Sequence, residues 1–222
     1  MKITLHYIYD PLCGWCYAAE PLLERVLASP LRKQIAFEMH AGGLFQRMTL
    51  PPGKRAMIGQ ADARIASMTG QRFGQPYLEG LLARDDTVYD SLPPIAAILA
   101  SGAICAGTEP AMLQAIQYAH YREGRAVVQD DVLADLAQSL QIDRALFIRT
   151  YREMLNDGIQ AHLDNTLRLM HYAGAQGFPA FVIQKDDVLE KLEHERYYGD
   201  AAGFASLVED KIGRDQCERA SQ

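Results

Sequence analysis

The stretch that decides the fold is DPLCGWCY, residues 10–17, which follows directly on an alternating segment, KITLHYIYD, at residues 2–10. The alternation of β-branched and aromatic residues predicts a β-strand. A proline ends that strand, and apolar residues then recur at helical spacing, so we expect a helix over roughly residues 13–28. The pair Cys13 and Cys16 therefore lies at a junction of strand and helix.

Strand signals recur at both ends of the chain. The segment IAFEM, residues 35–39, predicts a second strand and completes a βαβ unit before Gly42-Gly43, a pair that we expect to form a turn. Near the other end, the pattern predicts a helix, a β-hairpin and a closing helix. These elements are expected at residues 158–174, at 179–184 with 188–197, and at 204–212.

The middle of the chain has a helical pattern throughout, from residue 44 to residue 157. Ser91 and Asp143 precede candidate helix starts and are expected to cap them. Alternation of strands and helices at both ends of one chain, with a helical interruption, predicts one α/β sheet that carries a helical subdomain. We therefore predict a helical domain at residues 44–157 and a discontinuous α/β domain at residues 1–43 and 158–222.

Composition excludes several functional classes. With 222 residues, 49% of them hydrophobic, the chain can bury a large core without disulfide cross-links. Its formal net charge is −6 and it has no run of basic residues, so neither nucleic acid nor an anionic membrane is an expected partner. The apolar stretches are shorter than the ~20 residues of a membrane span, and the N-terminal residues lack a signal-peptide core, so we expect a cytoplasmic protein.

A C-x-x-C pair beside a βαβ unit is typical of a redox site. Free N–H groups and the helix dipole at a helix N-terminus favour an anion, so Cys13 is the expected nucleophilic thiolate. Cys16, one turn further on, can attack the mixed disulfide and release the substrate.

The alternatives for the pair are half of a zinc site and two ordinary buried cysteines. There is no second C-x-x-C, so we expect no metal. Cys105 is expected in the core and Cys217 as an exposed thiol.

Two segments carry a resemblance to a known family: residues 10–17, and GFPAF at residues 177–181. They resemble the DsbA-like thioredoxin-fold superfamily, and within it the cytoplasmic FrnE-like branch of dithiol-disulfide isomerases and oxidoreductases. The resemblance implies an α/β thioredoxin fold with a large all-helical domain inserted between its βαβ and ββα halves.

The same resemblance implies which residues form the site. The implied set is a nucleophile, a resolving thiol, two active-site loop residues and a cis-proline that faces the pair: Cys13, Cys16, Gly14, Trp15 and Pro179. A cis-proline would expose the backbone of Phe178, so that a substrate peptide could pair with it as an added strand. The family more usually has a smaller or β-branched residue at that position. Its periplasmic members have Pro-His between the cysteines, so we expect a less oxidising pair here.

Four further side chains are weaker candidates. Asp10 could accept a proton during resolution, although capping of the turn is its expected role. Trp15 is expected to be an exposed substrate contact, with packing against the helical insert as the alternative. His6 and His40 could reach the site from strand ends, but each is expected to be a satisfied core or surface histidine.

The leading functional hypothesis is a thiol-disulfide oxidoreductase or isomerase acting on protein or small-molecule disulfides. It needs no tightly bound cofactor, and glutathione or a thioredoxin-type reductant would donate the electrons. The first alternative is a glutathione-dependent transferase or isomerase, like the kappa-class and hydroxychromene-carboxylate isomerase relatives, which commonly have serine in place of Cys13. The second is a non-enzymatic binding domain. Substitution Cys16→Ser separates the two enzymes, because it traps mixed disulfides only in the first.

Overall fold

The computed structural model describes residues 2–219, with side chains as far as residue 213. The strands of this part are β1 (Ile3–Tyr9), β2 (Ala36–Ala41), β3 (Met48–Thr49), β4 (Val88–Tyr89), β5 (Ala180–Lys185) and β6 (Val188–Leu192). Four of them form the central sheet in the order β2-β1-β5-β6. β1 is parallel to β2 and antiparallel to β5, and β5 is antiparallel to β6. This is the βαβ and ββα arrangement that the resemblance implies.

The α-helices of the described residues are α1 (Gly14–Ala18), α2 (Glu20–Leu27), α3 (Pro52–Thr69), α4 (Leu92–Ile104), α5 (Glu109–Tyr121), α6 (Asp130–Ser139), α7 (Arg144–Glu153), α8 (Ile159–Ala173) and α9 (Ala201–Arg219). Short 3₁₀ turns occur at Pro30–Lys33 and Glu195–Tyr197, and π-helical segments at Pro76–Leu81 and Met154–Gly158. Within this part of the chain, no helix combines the length and the apolar character that crossing a bilayer would require.

The sheet is covered on both faces. Its odd-numbered β1 residues, such as Leu5 and Tyr7, pack with α2 and α9 in the main core. On the opposite face, Ile8 and Val182 pack under apolar residues of α8. Strand residues point alternately to the two faces, so burial on both sides accounts for a β1 in which every residue is buried.

Helices α3 to α7 fill the connection between β2 and α8, around a nearly all-apolar α4. Two features of this insert differ from the helical pattern of the sequence. β3 and β4 form a short antiparallel pair. In addition, α7, the π-helical segment Met154–Gly158 and α8 follow one another without a break, so the boundary predicted at residue 157 lies inside helical structure. The division into domains at residues 43 and 157 stays a prediction.

Two of the predicted secondary-structure elements need correction. The helix expected over residues 13–28 is interrupted at Ala19, because Pro21 has no N–H for the carbonyl of Tyr17; the Gln71 side chain donates to that carbonyl instead, at 3.0 Å. The strand expected at 188–197 ends at Leu192.

The prediction that Cys105 lies in the core is also wrong. Its side chain is exposed, because α4 ends one residue earlier and Cys105 adopts an extended conformation. Cys217, expected to be an exposed thiol, lies outside the residues whose side chains are described.

Candidate active site

The end of β1 and the start of α1 bring the two cysteines together as free thiols. Cys13 is extended, with φ −87° and ψ 116°, and directly precedes α1. Its carbonyl accepts hydrogen bonds from the N–H groups of Cys16 and Tyr17, at 3.0 and 3.1 Å. This is the position of a helix N-cap, where the first N–H groups lack partners within the helix. The side chain of Cys13 therefore sits where an anion is favoured.

The two thiols differ in environment. Cys13 retains 8% of its surface exposed, whereas Cys16 is fully buried. The backbone N–H of Asp10 donates to the Cys16 sulfur at 3.4 Å. Burial, followed by the hydrogen bond and charge of Cys13, raises the pKa of the Cys16 thiol well above its usual range. Cys16 is therefore protonated at neutral pH, and Cys13 is the more accessible sulfur.

The segment before β5 faces this pair. The peptide bond between Phe178 and Pro179 is cis, as the resemblance implies, and the Cys13 thiol lies 3.6 Å from the carbonyl oxygen of Phe178. The Phe178 ring packs directly over Gly42, where an added Cβ would lie only 2.0 Å from the ring. Gly42 thus makes room for a bulky residue before the proline. Gly42 does not form the expected turn. It lies in an irregular segment, and its N–H donates to the carbonyl of Tyr9 at 2.7 Å.

Asp10 connects the cysteine loop to the helical insert. Its carboxylate is fully buried and accepts three hydrogen bonds, from the N–H of Leu12 at 2.9 Å, the N–H of Leu44 at 2.8 Å and the hydroxyl of Ser91 at 3.0 Å. Burial raises the pKa of Asp10 to about 6, although these hydrogen bonds favour the charged form. The bond to Leu12 is the turn-capping contact that the sequence predicts.

Ser91 departs from its predicted role. It directly precedes α4, but its side chain makes no cap hydrogen bond to that helix. Its hydroxyl donates to Asp10 and accepts the N–H of Phe45 at 3.1 Å. Asp143, in contrast, caps α7 as expected, by accepting the N–H of Leu146 at 2.8 Å.

Helix α3 contributes a residue that the sequence analysis missed. Asp62 is buried against the cysteine loop, since a Cβ added at Gly14 would lie 2.8 Å from its Oδ1 atom. The hydroxyl of Tyr77 donates to the other carboxylate oxygen at 2.8 Å, and burial raises the pKa of Asp62 to about 6. Asp62 stands beside the apolar stripe through Ile65 in the sequence, and this position was a signal that could have identified it. The glycine at position 14 lets α3 approach this closely.

Trp15 borders a cavity of about 280 Å³. Its half-buried ring packs against Tyr198 at a tilt of 35°, with 5.4 Å between centroids, and the Arg64 guanidinium lies 5.7 Å from the Trp15 centroid. Phe178 and Pro179 also line this cavity. Trp15 contacts α3 through Arg64, which agrees with the alternative of packing against the helical insert, and its expected role as a substrate contact stays a prediction.

His6 and His40 do not reach the cysteines. Their imidazoles contact each other, with 2.9 Å between His6 Nδ1 and His40 Nε2, on the sheet face that packs against α8. Both rings are at least partly buried and have polar partners, which agrees with the expectation of satisfied histidines.

Fold and site together define a thioredoxin-fold protein whose cysteine pair starts the first helix. The family described as DSBA-like thioredoxin domain matches residues 4–195, and the chain belongs to this family. A search of curated proteins finds no match.

Solved structures give similar results. The cytosolic disulfide reductase DsbM from Pseudomonas aeruginosa is 39% identical, with a TM-score of 0.86 over 94% of this chain and 98% of that one. A structure of the same reductase with GSH has 38% sequence identity and a TM-score of 0.85, over the same shares of the two chains. A candidate protein disulfide isomerase from Nitrosomonas europaea, at 24% identity and a TM-score of 0.82, covers 96% of this chain and 99% of its own length and shows the shared fold.

Proposed function

We propose that this chain is a thiol-disulfide oxidoreductase in which Cys13 attacks the substrate disulfide and Cys16 resolves the intermediate. The observation that carries the proposal is the asymmetry of the pair: Cys13 is partly open at the helix N-terminus, and Cys16 is fully buried one turn behind it. A nucleophile needs access and a stabilised thiolate, whereas a resolving thiol needs proximity and protection.

The reaction is two thiol-disulfide exchanges. The Cys13 thiolate attacks one substrate sulfur, the substrate S–S bond breaks, and the other sulfur leaves as a thiolate that takes up a proton. Cys16 then loses its proton, attacks the Cys13 sulfur and releases the second substrate thiol. The substrate gains two electrons and the cysteine pair is oxidised to a disulfide, which two glutathione molecules reduce again. If a substrate thiol attacks the mixed disulfide before Cys16 does, the outcome is isomerisation.

Asp10 is the proposed proton acceptor for Cys16. Its backbone N–H touches the Cys16 sulfur, and the pKa of its carboxyl is about 6, close to neutral pH. A carboxylate with such a pKa can take up a proton transiently and release it again. Capping the turn and accepting this proton are compatible, because a carboxylate has about four acceptor sites and the three hydrogen bonds of Asp10 leave one for the proton.

The cavity beside Trp15 is the proposed substrate site. It is lined by Trp15, Arg64 and Phe178, and the carbonyl oxygen of Phe178 lies 3.6 Å from the Cys13 sulfur. Arg64 suits a carboxylate, and glutathione carries two. The similarity to a cytosolic disulfide reductase that has been solved with GSH supports glutathione as the electron donor and the cytoplasm as the location.

The proposal is tested by equilibrating the protein in glutathione redox buffers and following the fluorescence of Trp15, the single tryptophan of the chain. We expect a reversible transition within about −220 to −320 mV, the range of the cytosolic glutathione pool. Cys16→Ser should accumulate a mixed disulfide with glutathione at Cys13, detectable by intact mass. Cys105→Ser is the matched control and should titrate like the wild type. Failure to form a Cys13–Cys16 disulfide at any ratio would refute the proposal.

A second variant tests the glutathione site. Arg64→Gln should raise the glutathione concentration needed for half-maximal reduction, because the guanidinium no longer pairs with a carboxylate. Arg149→Gln, which removes the same charge from the exposed face of α7, is the control and should leave it unchanged. Equal effects of both variants would assign the change to overall charge.

The glutathione-dependent transferase or isomerase stays as the alternative. The 38% identical disulfide reductase has been solved with GSH, and a transferase would use glutathione too. The buried Cys16 distinguishes the two, because a glutathione-conjugating enzyme has no step for a second thiol. Cys16→Ser would then leave activity intact and trap nothing.

A further inference from the structure

We propose that His6, Glu38 and His40 form a binding site for a divalent transition-metal ion, with Zn²⁺ as the ion that fits best. The three residues lie on neighbouring strands: His6 on β1 is paired in register with Glu38 on β2, and His40 follows two residues later on the same face. One ligand atom from each lies within 4.8 Å of the other two. This cluster lies on the α8 side of the sheet and takes no part in the proposed disulfide chemistry.

The spacing of these atoms matches a metal coordination shell. The distances are 2.9 Å between His6 Nδ1 and His40 Nε2, 3.5 Å between His6 Nδ1 and Glu38 Oε2, and 3.8 Å between His40 Nε2 and Glu38 Oε2. A tetrahedral zinc site with bonds of about 2.0–2.2 Å has ligand atoms about 3.3–3.6 Å apart. Small side-chain rotations therefore bring all three atoms into bonding range, and a fourth position remains for water.

A neighbouring residue orients His6 as metal-binding histidines require. The Gln184 amide donates from Nε2 to the carbonyl of Asp186 at 2.8 Å, which turns its Oε1 atom towards His6 Nε2 at 2.9 Å. His6 must then carry its proton on Nε2, so the lone pair of Nδ1 points into the cluster. A hydrogen-bond acceptor on the ring nitrogen away from the metal is the common arrangement for a ligating histidine.

His40 can also present a lone pair. In the absence of an ion, His40 Nε2–H donates to His6 Nδ1, and for coordination its proton moves to Nδ1, so the ring stays neutral. His162 lies next to His40, with 6.5 Å between the ring centroids. His162 itself accepts the N–H of Ala41 at 2.9 Å and stands outside the ligand set.

The site is accessible. Glu38 has 48% of its side chain exposed and His40 has 16%. Both line a cavity of about 640 Å³ at the β2 edge of the sheet, so an ion has a route to the cluster. Two neutral imidazoles and one carboxylate suit Zn²⁺, whose usual ligands include both.

The test measures Zn²⁺ binding to the Cys13→Ser/Cys16→Ser protein, in which the cysteine pair cannot bind the metal. Isothermal titration should show one equivalent of Zn²⁺, and Co²⁺ substitution should give visible d–d absorption without a sulfur-to-cobalt charge-transfer band. Glu38→Ala and His40→Ala in this background should abolish binding. Gln184→Ala should weaken it by about 10–100-fold. His171→Ala, an exposed histidine on α8, is the control and should bind like the background.

Folding of each variant is checked by urea denaturation without metal. Because Glu38 is exposed, Glu38→Ala is the ligand variant that should disturb the sheet least. Zn²⁺ should raise the Tm of the background protein and of His171→Ala but not that of Glu38→Ala, because an ion stabilises only the state that binds it. Absence of Zn²⁺ binding in the Cys13→Ser/Cys16→Ser background, or binding that survives Glu38→Ala and His40→Ala, would overturn the proposal.

Discussion

Replacing Gly42 with alanine should disturb the cysteine site through the ring of Phe178. The added methyl carbon would lie 2.0 and 2.3 Å from two ring carbons, where ordinary contacts are about 3.5–4.0 Å. The ring must therefore withdraw by about 1.5–2 Å, and overpacking of this kind costs about 1–3 kcal/mol. Because the Phe178 carbonyl lies 3.6 Å from the Cys13 sulfur, movement of this residue also reaches the reacting atom.

A double-mutant cycle isolates this contact. Phe178→Val alone removes a half-buried ring and should cost about 1–2 kcal/mol, less than the loss of a fully buried phenylalanine. In Gly42→Ala/Phe178→Val, the methyl group occupies space that the ring has left. The combined loss should therefore be smaller than the sum of the single losses by about 1–2 kcal/mol, which is well outside the scatter of independent sites.

The assay is urea unfolding of the four reduced proteins at pH 7, together with the rate of mixed-disulfide formation with oxidised glutathione. Gly42→Ala should slow that rate by up to about 100-fold, the effect of a displacement of about 1 Å near the reacting atoms. Gly43→Ala is the matched control, because its added carbon would have neighbours no closer than 3.7 Å. Equal effects at the two glycines, or additive losses within about 0.5 kcal/mol, would refute the reasoning.

Three further predictions concern neighbouring residues. Burial raises the pKa of Asp10 from 3.8 to about 6, so its contribution to stability is complete below pH 3.8 and is lost as the pH rises through about 6. The loss is about 3 kcal/mol. Urea titrations of Asp10→Asn should lack this part of the pH dependence, whereas an unchanged slope would contradict the assignment. Gly14→Ala should cost about 1–3 kcal/mol by meeting Asp62, and Gly14→Ala/Asp62→Ala should recover much of it; no recovery would place the clash elsewhere. Cys105→Ser should change stability by less than about 0.5 kcal/mol, since the side chain is exposed, and a larger loss would indicate burial.

Local patterns predicted most of the sheet and the position of the cysteines. The patterns that predict β1 and the hairpin of β5 and β6 each occupy a few consecutive positions. The sequence therefore predicts that these strands exist, and only their end residues differ in the structure. The break at Ala19 was also readable in principle, because Pro21 removes a helical N–H whatever the tertiary structure.

The contacts that complete the site could not be predicted from the sequence, because they join residues far apart in the chain. Gly42 makes room for Phe178, which lies 136 positions later, and nothing within the Gly42-Gly43 pair indicates that neighbour. Ser91 has the sequence context of a helix cap, yet its hydroxyl bonds a carboxylate 81 positions earlier. In each case the local signal was compatible with a common local role, and tertiary packing selected another.

The hydrogen bonds of Asp10 set a limit on transplanting this active site. A designer who grafts the loop at residues 10–17 onto a bare thioredoxin frame would carry over a carboxylate but leave behind Ser91 and Leu44, two of its three donors. The buried charge would then lack most of its hydrogen-bond partners. An unpaired buried charge costs far more free energy than an unpaired exposed charge. The loop, the segment around Leu44 and the start of α4 should therefore be moved together, or position 10 redesigned to an uncharged residue.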